Sequence, residues 1–217
     1  MSFLHDGPDD ATCRVLLAHG AGAAMDSPFM STFASLLAAR GLAVSRFEFG
    51  YMAARRTRGK KRPPPRADLL AGEYEAAVAD LRAGMPPDQG LVIGGKSMGG
   101  RVASLVADAL QRQGFASGLV CLGYPFHPPA KPENLRTLHL AAITCPTLIV
   151  QGERDPFGTR AEVEALIADR ALSPAIAFHW AHDGDHDLGP RGGQGVTRKG
   201  NLAAAADAVA AFAIGLR

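Results

Sequence analysis

A serine flanked by glycines is the first feature of this chain that could do chemistry. The stretch "GLVIGGKSMGGR", residues 90–101, matches two patterns that share Ser97. One is the phosphate-binding pattern G-x-x-x-x-G-K-[ST], in which the serine would hold a magnesium ion. The other is G-x-S-x-G, in which the serine would attack a carbonyl carbon. The two patterns need different backbones, so the neighbouring elements decide between them.

The position of the strand favours the nucleophile. A phosphate-binding loop needs a strand before its first glycine, and the residues before Gly90 are "RAGMPPDQ", which cannot form a buried strand. The apolar residues Leu91 to Ile93 occupy the positions of the supposed loop. A strand that ends in two glycines, a sharp turn at Ser97 and a following helix form the arrangement that exposes a nucleophilic serine. The sequence therefore predicts Ser97 as the nucleophile.

A serine nucleophile needs a general base and an acid that orients this base, and where a strand–turn–helix carries the serine the acid and then the histidine follow it in the chain. The acid is expected in a loop after a later strand. The segment "TLIVQGERDPFG" ends such a strand at Gly152 and supplies Asp155 before a proline. Glu153 is a second candidate that lies nearer to the strand end. We predict Asp155 as the acid that orients the base and stabilises its charged form.

The base is expected in the loop between the last strand and the last helix. The segment "AIAFHWAHDGDHDLGP" offers three histidines there. His179 lies within the strand and is predicted to be structural, and His182 lies only two residues beyond the strand. His186 reaches further over the edge of the sheet. We predict His186 as the general base that takes the proton from Ser97.

The same segment has a competing interpretation as a metal site. His182, His186 and the aspartates beside them could ligate zinc or a pair of metal ions. A metal hydrolase would need further ligands from other strands, and the chain has no other H-x-H, H-E-x-x-H or C-x-x-C motif. We therefore expect neither a metal ion nor a cofactor. Asp183, Asp185 and Asp187 are expected to be solvated turn residues.

Attack by the serine creates an oxyanion that two backbone amides must stabilise. One donor is expected from Met98, the residue after the nucleophile, and the other from the loop after the first core strand. That loop reads "AHGAGAAMDSP", and its small residues allow amides to turn toward the serine. We predict Ala21 as the second donor, with Gly22 as the alternative.

The predicted site residues require strands that end at one edge of a sheet. Strands are predicted from short apolar segments at 14–19, 43–49, 91–95, 118–123, 147–152 and 175–180. Helices are predicted from helical spacing of apolar residues at 28–40, 67–83, 98–113, 160–169 and 199–215. This alternation predicts an α/β fold with a mostly parallel sheet of about six or seven strands and helices on both faces. We predict a single domain over residues 1–217, a Pro- and Arg-rich loop at 50–66 and no large lid, with "HPPAKPENLRTLHL" as at most a short cover.

The composition is that of an ordinary globular protein and indicates no macromolecular partner. Of the 217 residues, 47% are apolar and 20% are charged, and the net charge is +2. The three cysteines lie in or beside apolar stretches, which predicts buried thiols rather than a disulfide framework. No apolar run approaches the ~18 residues of a membrane span, and the N-terminus does not read as a signal peptide. We expect a cytoplasmic protein with a small-molecule substrate and without a nucleic-acid or membrane partner; the oligomeric state stays open.

Positive charge is concentrated between Arg55 and Arg66, a segment with seven of the 23 basic residues and no acid. A connection that leaves the C-terminal end of a strand emerges at the edge of the sheet where Ser97 is expected. We therefore predict that this segment lies beside the active site and favours anionic or polar substrates. A solvated surface loop is the alternative, and the lack of interleaved aromatic residues disfavours nucleic-acid binding.

Four segments occur in the order found in the α/β-hydrolase superfamily, which the chain resembles over nearly its whole length: "LLAHGAG", "GGKSMGGR", "LIVQGERDPFG" and "GDHDL". More closely, it resembles the small hydrolases without a cap that are related to dienelactone hydrolase. "GYPFHPPAKPENLRTLHL" is similar to the bacterial predicted hydrolases grouped with testis-expressed and KANSL-like proteins. Dienelactone hydrolases use a cysteine nucleophile, so Ser97 departs from them and their substrate is not carried over.

The resemblance, with the three candidate residues, implies a serine hydrolase that cleaves an ester or related acyl bond through an acyl-enzyme. Two alternatives stay open. A binding or scaffold protein can keep a catalytic fold, because fold does not fix function. An acyltransferase would use the same serine, histidine and aspartate with an acceptor other than water.

Overall fold

The computed structural model describes residues 1–59, 63–192 and 195–216, with the backbone alone for residues 56–58. The strands are β1 (Phe3–Asp6), β2 (Cys13–Ala18), β3 (Ala43–Phe47), β4 (Gly90–Lys96), β5 (Gly118–Leu122), β6 (Thr147–Gly152) and β7 (Ile176–Ala181). The helices are α1 (Pro28–Ala38), α2 (Gly50–Arg58), α3 (Ala71–Arg82), α4 (Met98–Arg112), α5 (Arg160–Ala168) and α6 (Arg198–Gly215), with short 3-10 helices at Ala67–Leu70 and Leu138–Ala141. The predicted α/β architecture is confirmed.

The strands form one sheet in the order β1-β3-β2-β4-β5-β6-β7, in which only β1 is antiparallel to its neighbour. Every residue of β2 is buried, because helices cover both faces of the sheet. On one face, side chains of α3 and α4 such as Tyr74 and Val102 pack against the strands. On the other face, α1 and α6 contribute side chains such as Phe33 and Val209. The sheet thus lies between two apolar layers.

The order of the strands places a crevice at the end of β2. From this strand the chain adds β3 on one side and then crosses to β4 on the other side. The connections that leave β2 and β4 therefore diverge to opposite faces of the sheet, and ligands of open α/β sheets bind at such a point. Ser97 directly follows β4, and the loop from His19 onward directly follows β2. Two of the predicted functional segments therefore meet there.

The prediction of a loop over residues 50–66 is wrong in its first part, which forms α2. Few apolar residues mark this helix, and tertiary contacts hold it instead. The N–H of Gly50 donates to Glu73 Oε2 at 2.6 Å, and the Tyr51 ring packs against the His19 ring with 5.7 Å between centroids. Gly59 ends the helix with a φ of 65°. Lys60 to Arg62 lie outside the described residues.

β1 is a further element that the apolar pattern did not predict. Its four residues are "FLHD", too short and too polar to mark a buried strand. It pairs antiparallel with β3 at the edge of the sheet. The three cysteines are buried thiols, as predicted. No helix in the described part of the chain is long and apolar enough to cross a membrane.

Candidate active site

Ser97 lies in a strained turn between β4 and α4. Its φ of 51° and ψ of −115° are unusual for a residue with a side chain. Glycines make this turn possible, because a Cβ at Gly95 or at Gly99 would lie 2.6 Å from the carbonyl oxygen of Ala18. The N–H of Ser97 donates to the carbonyl of Leu122 at 2.9 Å. The turn therefore carries the serine at the C-terminal edge of the sheet, as the sequence predicts.

His186 and Asp155 are joined by a short hydrogen bond. His186 Nδ1 lies 2.7 Å from Asp155 Oδ2, and the aspartate is fully buried. The other carboxylate oxygen accepts the N–H of Phe157 at 2.9 Å. Because an ionised carboxylate only accepts, the proton of the neutral imidazole is on Nδ1 and Nε2 is free to take another. This is the tautomer that a general base requires.

One cavity of about 500 Å³ brings the serine and the histidine together. Both Ser97 and His186 line it, and Gly20 approaches from the loop after β2, where an added Cβ would lie 3.8 Å from Ser97 Cβ. Ser97 Oγ makes no hydrogen bond within the described part of the chain. Catalytic hydrogen bonds are often long until substrate binds. The chemistry requires Ser97 Oγ and His186 Nε2 to approach within about 3 Å, and we predict this contact for the substrate complex because it is not among the hydrogen bonds of the described residues.

The alternative histidine and the alternative acid form a separate pair. His182 Nδ1 lies 3.1 Å from Glu153 Oε2, and the His182 side chain is largely exposed. A hydrogen bond from the N–H of Asp183 lowers the pKa of Glu153, and a hydrogen bond from Arg160 lowers it to a smaller extent. Neither His182 nor Glu153 lines the cavity of Ser97. His179 lies within β7, where burial lowers its pKa.

The aspartates around His186 have protein partners. The prediction of a solvated residue is wrong for Asp183, which is buried and pairs with Arg154 at 2.7 Å and Arg191 at 2.9 Å. Asp185 Oδ1 accepts the N–H groups of Asp187 and Gly189, and so shapes the turn. Within the described residues, no group of three or more His, Cys, Asp or Glu side chains is arranged to hold a metal ion.

Lys96 is a buried cation of the site that the sequence analysis did not identify. Its Nζ donates to the carbonyl of His186 at 2.7 Å, lies 3.3 Å from Asp187 Oδ1 and sits 5.2 Å from the centre of the Phe29 ring. Burial lowers the pKa of Lys96, although Asp187 and Asp155 oppose this shift. The side chain thus ties the histidine loop to the end of β4.

Gln151 is a second residue of the site that the sequence analysis missed. Its Nε2 donates to Asp155 Oδ2 at 3.1 Å, the same oxygen that faces His186, and to the carbonyl of Gly158 at 3.1 Å. Gln151 lies at the end of β6 and is fully buried. It therefore holds the carboxylate oxygen of Asp155 that also faces the imidazole. No sequence pattern associates a glutamine with an acid four residues later, so the sequence could not predict this contact.

The predicted oxyanion donors border the serine. Met98 is the first residue of α4, so its N–H is one of the amides that a helix leaves unpaired. Ala21 lines the cavity together with Gly20 and Gly22. Their role in binding an oxyanion stays a prediction.

The rest of the cavity wall combines apolar and charged side chains. Phe29, Met30 and Phe157 contribute large apolar side chains, and Arg198 contributes a charged one. Residues 127–140, for which the sequence allows at most a short cover, are all described, and none of them lines this cavity. That segment folds back on the chain instead, with Arg136 N–H donating to the carbonyl of Phe126 at 2.7 Å.

Residues 11–214 match the model of the family described as alpha/beta hydrolase domain. The chain belongs to the α/β-hydrolase family. The predicted membership of this superfamily is thereby confirmed. The match covers the six strands from β2 to β7 and includes Ser97, Asp155 and His186.

Solved structures of other α/β-hydrolases share the fold. A dienelactone hydrolase from Anabaena variabilis is 23% identical, with a TM-score of 0.68 over 98% of this chain and 90% of that one. A serine hydrolase without a lid from Xanthomonas campestris is 17% identical, with a TM-score of 0.66 over 97% and 86%. A serine hydrolase homologue from Coxiella burnetii is 17% identical, with a TM-score of 0.68 over 96% and 89%.

Proposed function

We propose that this α/β-hydrolase is a serine hydrolase that cleaves an ester or a related acyl bond. The observation that carries the proposal is the combination at one cavity of a strained Ser97 and a His186 whose Nδ1 is bonded to a buried Asp155. This combination supplies a nucleophile, a base in the correct tautomer and an acid that orients the base.

The reaction proceeds through an acyl-enzyme. His186 Nε2 takes the proton of Ser97 Oγ while this oxygen bonds to the substrate carbonyl carbon. The carbonyl oxygen becomes an oxyanion, which the amides of Met98 and Ala21 stabilise. The imidazolium gives its proton to the departing alcohol oxygen as the carbon–oxygen bond breaks. Water then attacks the acyl-enzyme with His186 as base, and Asp155 stays ionised throughout.

The cavity wall supports an apolar acyl group. Phe29 and Phe157 line the cavity with Ser97, and a second groove of about 410 Å³ shares Phe29 with it and reaches Leu36 and Leu202. Arg198 borders both cavities. We also propose that the basic segment from Arg55 to Arg66 favours anionic substrates. The position of Arg55, whose Nη1 lies 3.4 Å from the carbonyl of Gly22, supports the nearness of this segment to the site.

The test combines labelling with a fluorophosphonate probe and turnover of an ester panel. Ser97→Ala should abolish labelling and lower ester turnover by about 10³-fold or more, because the nucleophile is lost. His186→Ala should lower turnover similarly, whereas the matched control His182→Ala should leave it unchanged. Labelling that survives Ser97→Ala would contradict the proposal. A wild-type protein that neither labels nor turns over any ester would favour a binding or scaffold role.

A further inference from the structure

Three consecutive carbonyl oxygens in the loop after β2 each accept a hydrogen bond from a side chain. The contacts are His19 Nδ1 to Gly20 at 2.6 Å, Tyr51 hydroxyl to Ala21 at 3.0 Å and Arg55 Nη1 to Gly22 at 3.4 Å. His19 is a donor on Nδ1 because its Nε2 accepts the N–H of Phe49 at 3.2 Å. Tyr51 and Arg55 are one turn apart on α2, so one helix holds two of the three carbonyls.

Holding the carbonyls fixes the direction of the amides. Across each planar trans peptide, the N–H of the next residue points opposite to the carbonyl. The N–H groups of Ala21, Gly22 and Ala23 are therefore turned away from the side chains that hold the carbonyls. These same residues line the cavity with Ser97, and among the described residues their N–H groups have no acceptor. Successive amides that face one space form a site for an anionic oxygen.

Tyr51 is well suited to hold its carbonyl. Its ring packs against His19 at 5.7 Å and Phe49 at 6.5 Å between centroids. Burial, the largest influence, raises the pKa of the Tyr51 hydroxyl to about 12, so this group keeps its proton and donates at neutral pH. Glu73 fixes the start of α2 through the N–H of Gly50. The hydroxyl therefore reaches the loop from a fixed support.

We propose that Tyr51 is a positioning residue that aims the amide of Gly22 at the oxyanion, while His19 orients the neighbouring amide of Ala21 and Arg55 that of Ala23. This inference rests on the proposed serine hydrolase function and adds α2 to the parts on which that function depends. Tyr51 touches no reacting atom. Its contribution is realised only when charge develops on the substrate oxygen, so it should affect the transition state rather than substrate binding.

The test uses Tyr51→Phe, which removes the hydroxyl and keeps the ring. Loss of one oxyanion donor costs about 10²–10³ in kcat, and a misaimed donor loses part of this, so kcat should fall about 10-fold with KM within about twofold. Affinity for an aryl trifluoromethyl ketone, whose adduct carries an oxyanion, should fall by about the same factor. Affinity for the product carboxylate should not change.

The matched control is Ser117→Ala. Ser117 Oγ also donates to a carbonyl, that of Leu91 at 3.1 Å, but at the opposite end of the sheet. The Ser117→Ala substitution should leave kcat and ketone affinity unchanged. The inference would be overturned if Tyr51→Phe kept the kcat and the ketone affinity of the wild type. It would also be overturned if both quantities fell equally in Ser117→Ala.

A second measurement separates this inference from the proposed function. If the wild-type protein neither labels nor turns over an ester, the proposed function fails. The hydrogen bond to Ala21 is then tested by the ¹³C resonance of the Ala21 carbonyl in the full chain. This resonance should shift in Tyr51→Phe and stay in place in Ser117→Ala. An unchanged resonance in Tyr51→Phe would overturn the positioning role, whatever the activity.

Discussion

A single residue, His139, makes the stability of the protein depend on pH. Burial, and then the charge of Arg101, lowers its pKa from 6.5 to about 4, while Asp108 opposes the shift. Its Nε2 contacts Ser104 Oγ at 2.8 Å. Between these pH values the unfolded chain binds a proton at His139 and the native protein does not. The free energy of unfolding should therefore fall as the pH drops from 6.5 to 4.

His139→Gln should remove this part of the pH dependence. We expect a contribution of about 1–2 kcal/mol, reduced from the full effect of the shift because the ring is partly exposed to solvent. Urea unfolding at pH 7.5 and pH 4.5 measures the difference for both proteins. His179, which also has a lowered pKa, is present in both and cancels in the comparison. The same loss of stability in both proteins would contradict this prediction.

Individual residues of the candidate site differ in how far the sequence could predict them. Ser97, Asp155 and His186 follow strands in the chain order typical of this fold, so local pattern and that order together were enough to select them. Lys96 contacts the carbonyl of His186, 90 residues later in the chain. Such a contact depends on how two strand ends meet in space. The role of Gln151 likewise depends on a side-chain orientation that no periodicity encodes.

At the level of elements, the turn between β4 and α4 depends on glycines for space. A Cβ at Gly99 would lie 2.6 Å from the carbonyl oxygens of both Ala18 and His19, and backbone atoms cannot easily move away. We expect Gly99→Ala to destabilise the protein by about 1–3 kcal/mol or more and to displace Ser97, with loss of activity.

Gly72→Ala is the matched control for this substitution. Gly72 lies in α3, and a Cβ there would meet nothing within 4 Å. Alanine is the better helix former, so this change should stabilise the protein by about 0.5–1 kcal/mol and leave activity unchanged. Thermal unfolding and ester turnover of both variants provide the comparison. A Gly99→Ala protein as stable and active as Gly72→Ala would show that the turn tolerates a side chain.

The elements themselves were predictable where burial on both faces produces long apolar runs. β1 and α2 were not, and for different reasons. β1 is a short edge strand whose only sheet neighbour is β3, so little of its sequence must be apolar. α2, "GYMAARRTR", has few apolar residues and no side-chain cap, and long-range contacts with Glu73 and His19 hold it. Propensity is a weak guide where tertiary contacts decide.

At the scale of the whole molecule, access to the site depends on the connections between strands. The cavity wall comes from the loops after β2, β4, β6 and β7 and from the starts of α1 and α6. The long connection from Gly123 to Pro146 contributes no residue to this wall, although Gly123 itself lies close to His186. The connection nevertheless carries the exposed side chains of Leu135 and of Leu138, which is 93% exposed. These leucines would attract a lipid surface if the connection acted as a lid.

Because no residue of this connection lines the cavity, we expect turnover without activation at a lipid–water interface. Initial rates for an ester of limited solubility, plotted against ester concentration, should follow one hyperbola. They should show no step where droplets form, since this connection does not have to leave the cavity wall to admit the substrate. Leu138→Ser should leave the rates with dissolved and with dispersed ester unchanged. A step at the solubility limit that disappears in Leu138→Ser would contradict this expectation, because it would assign the connection a role in opening the site.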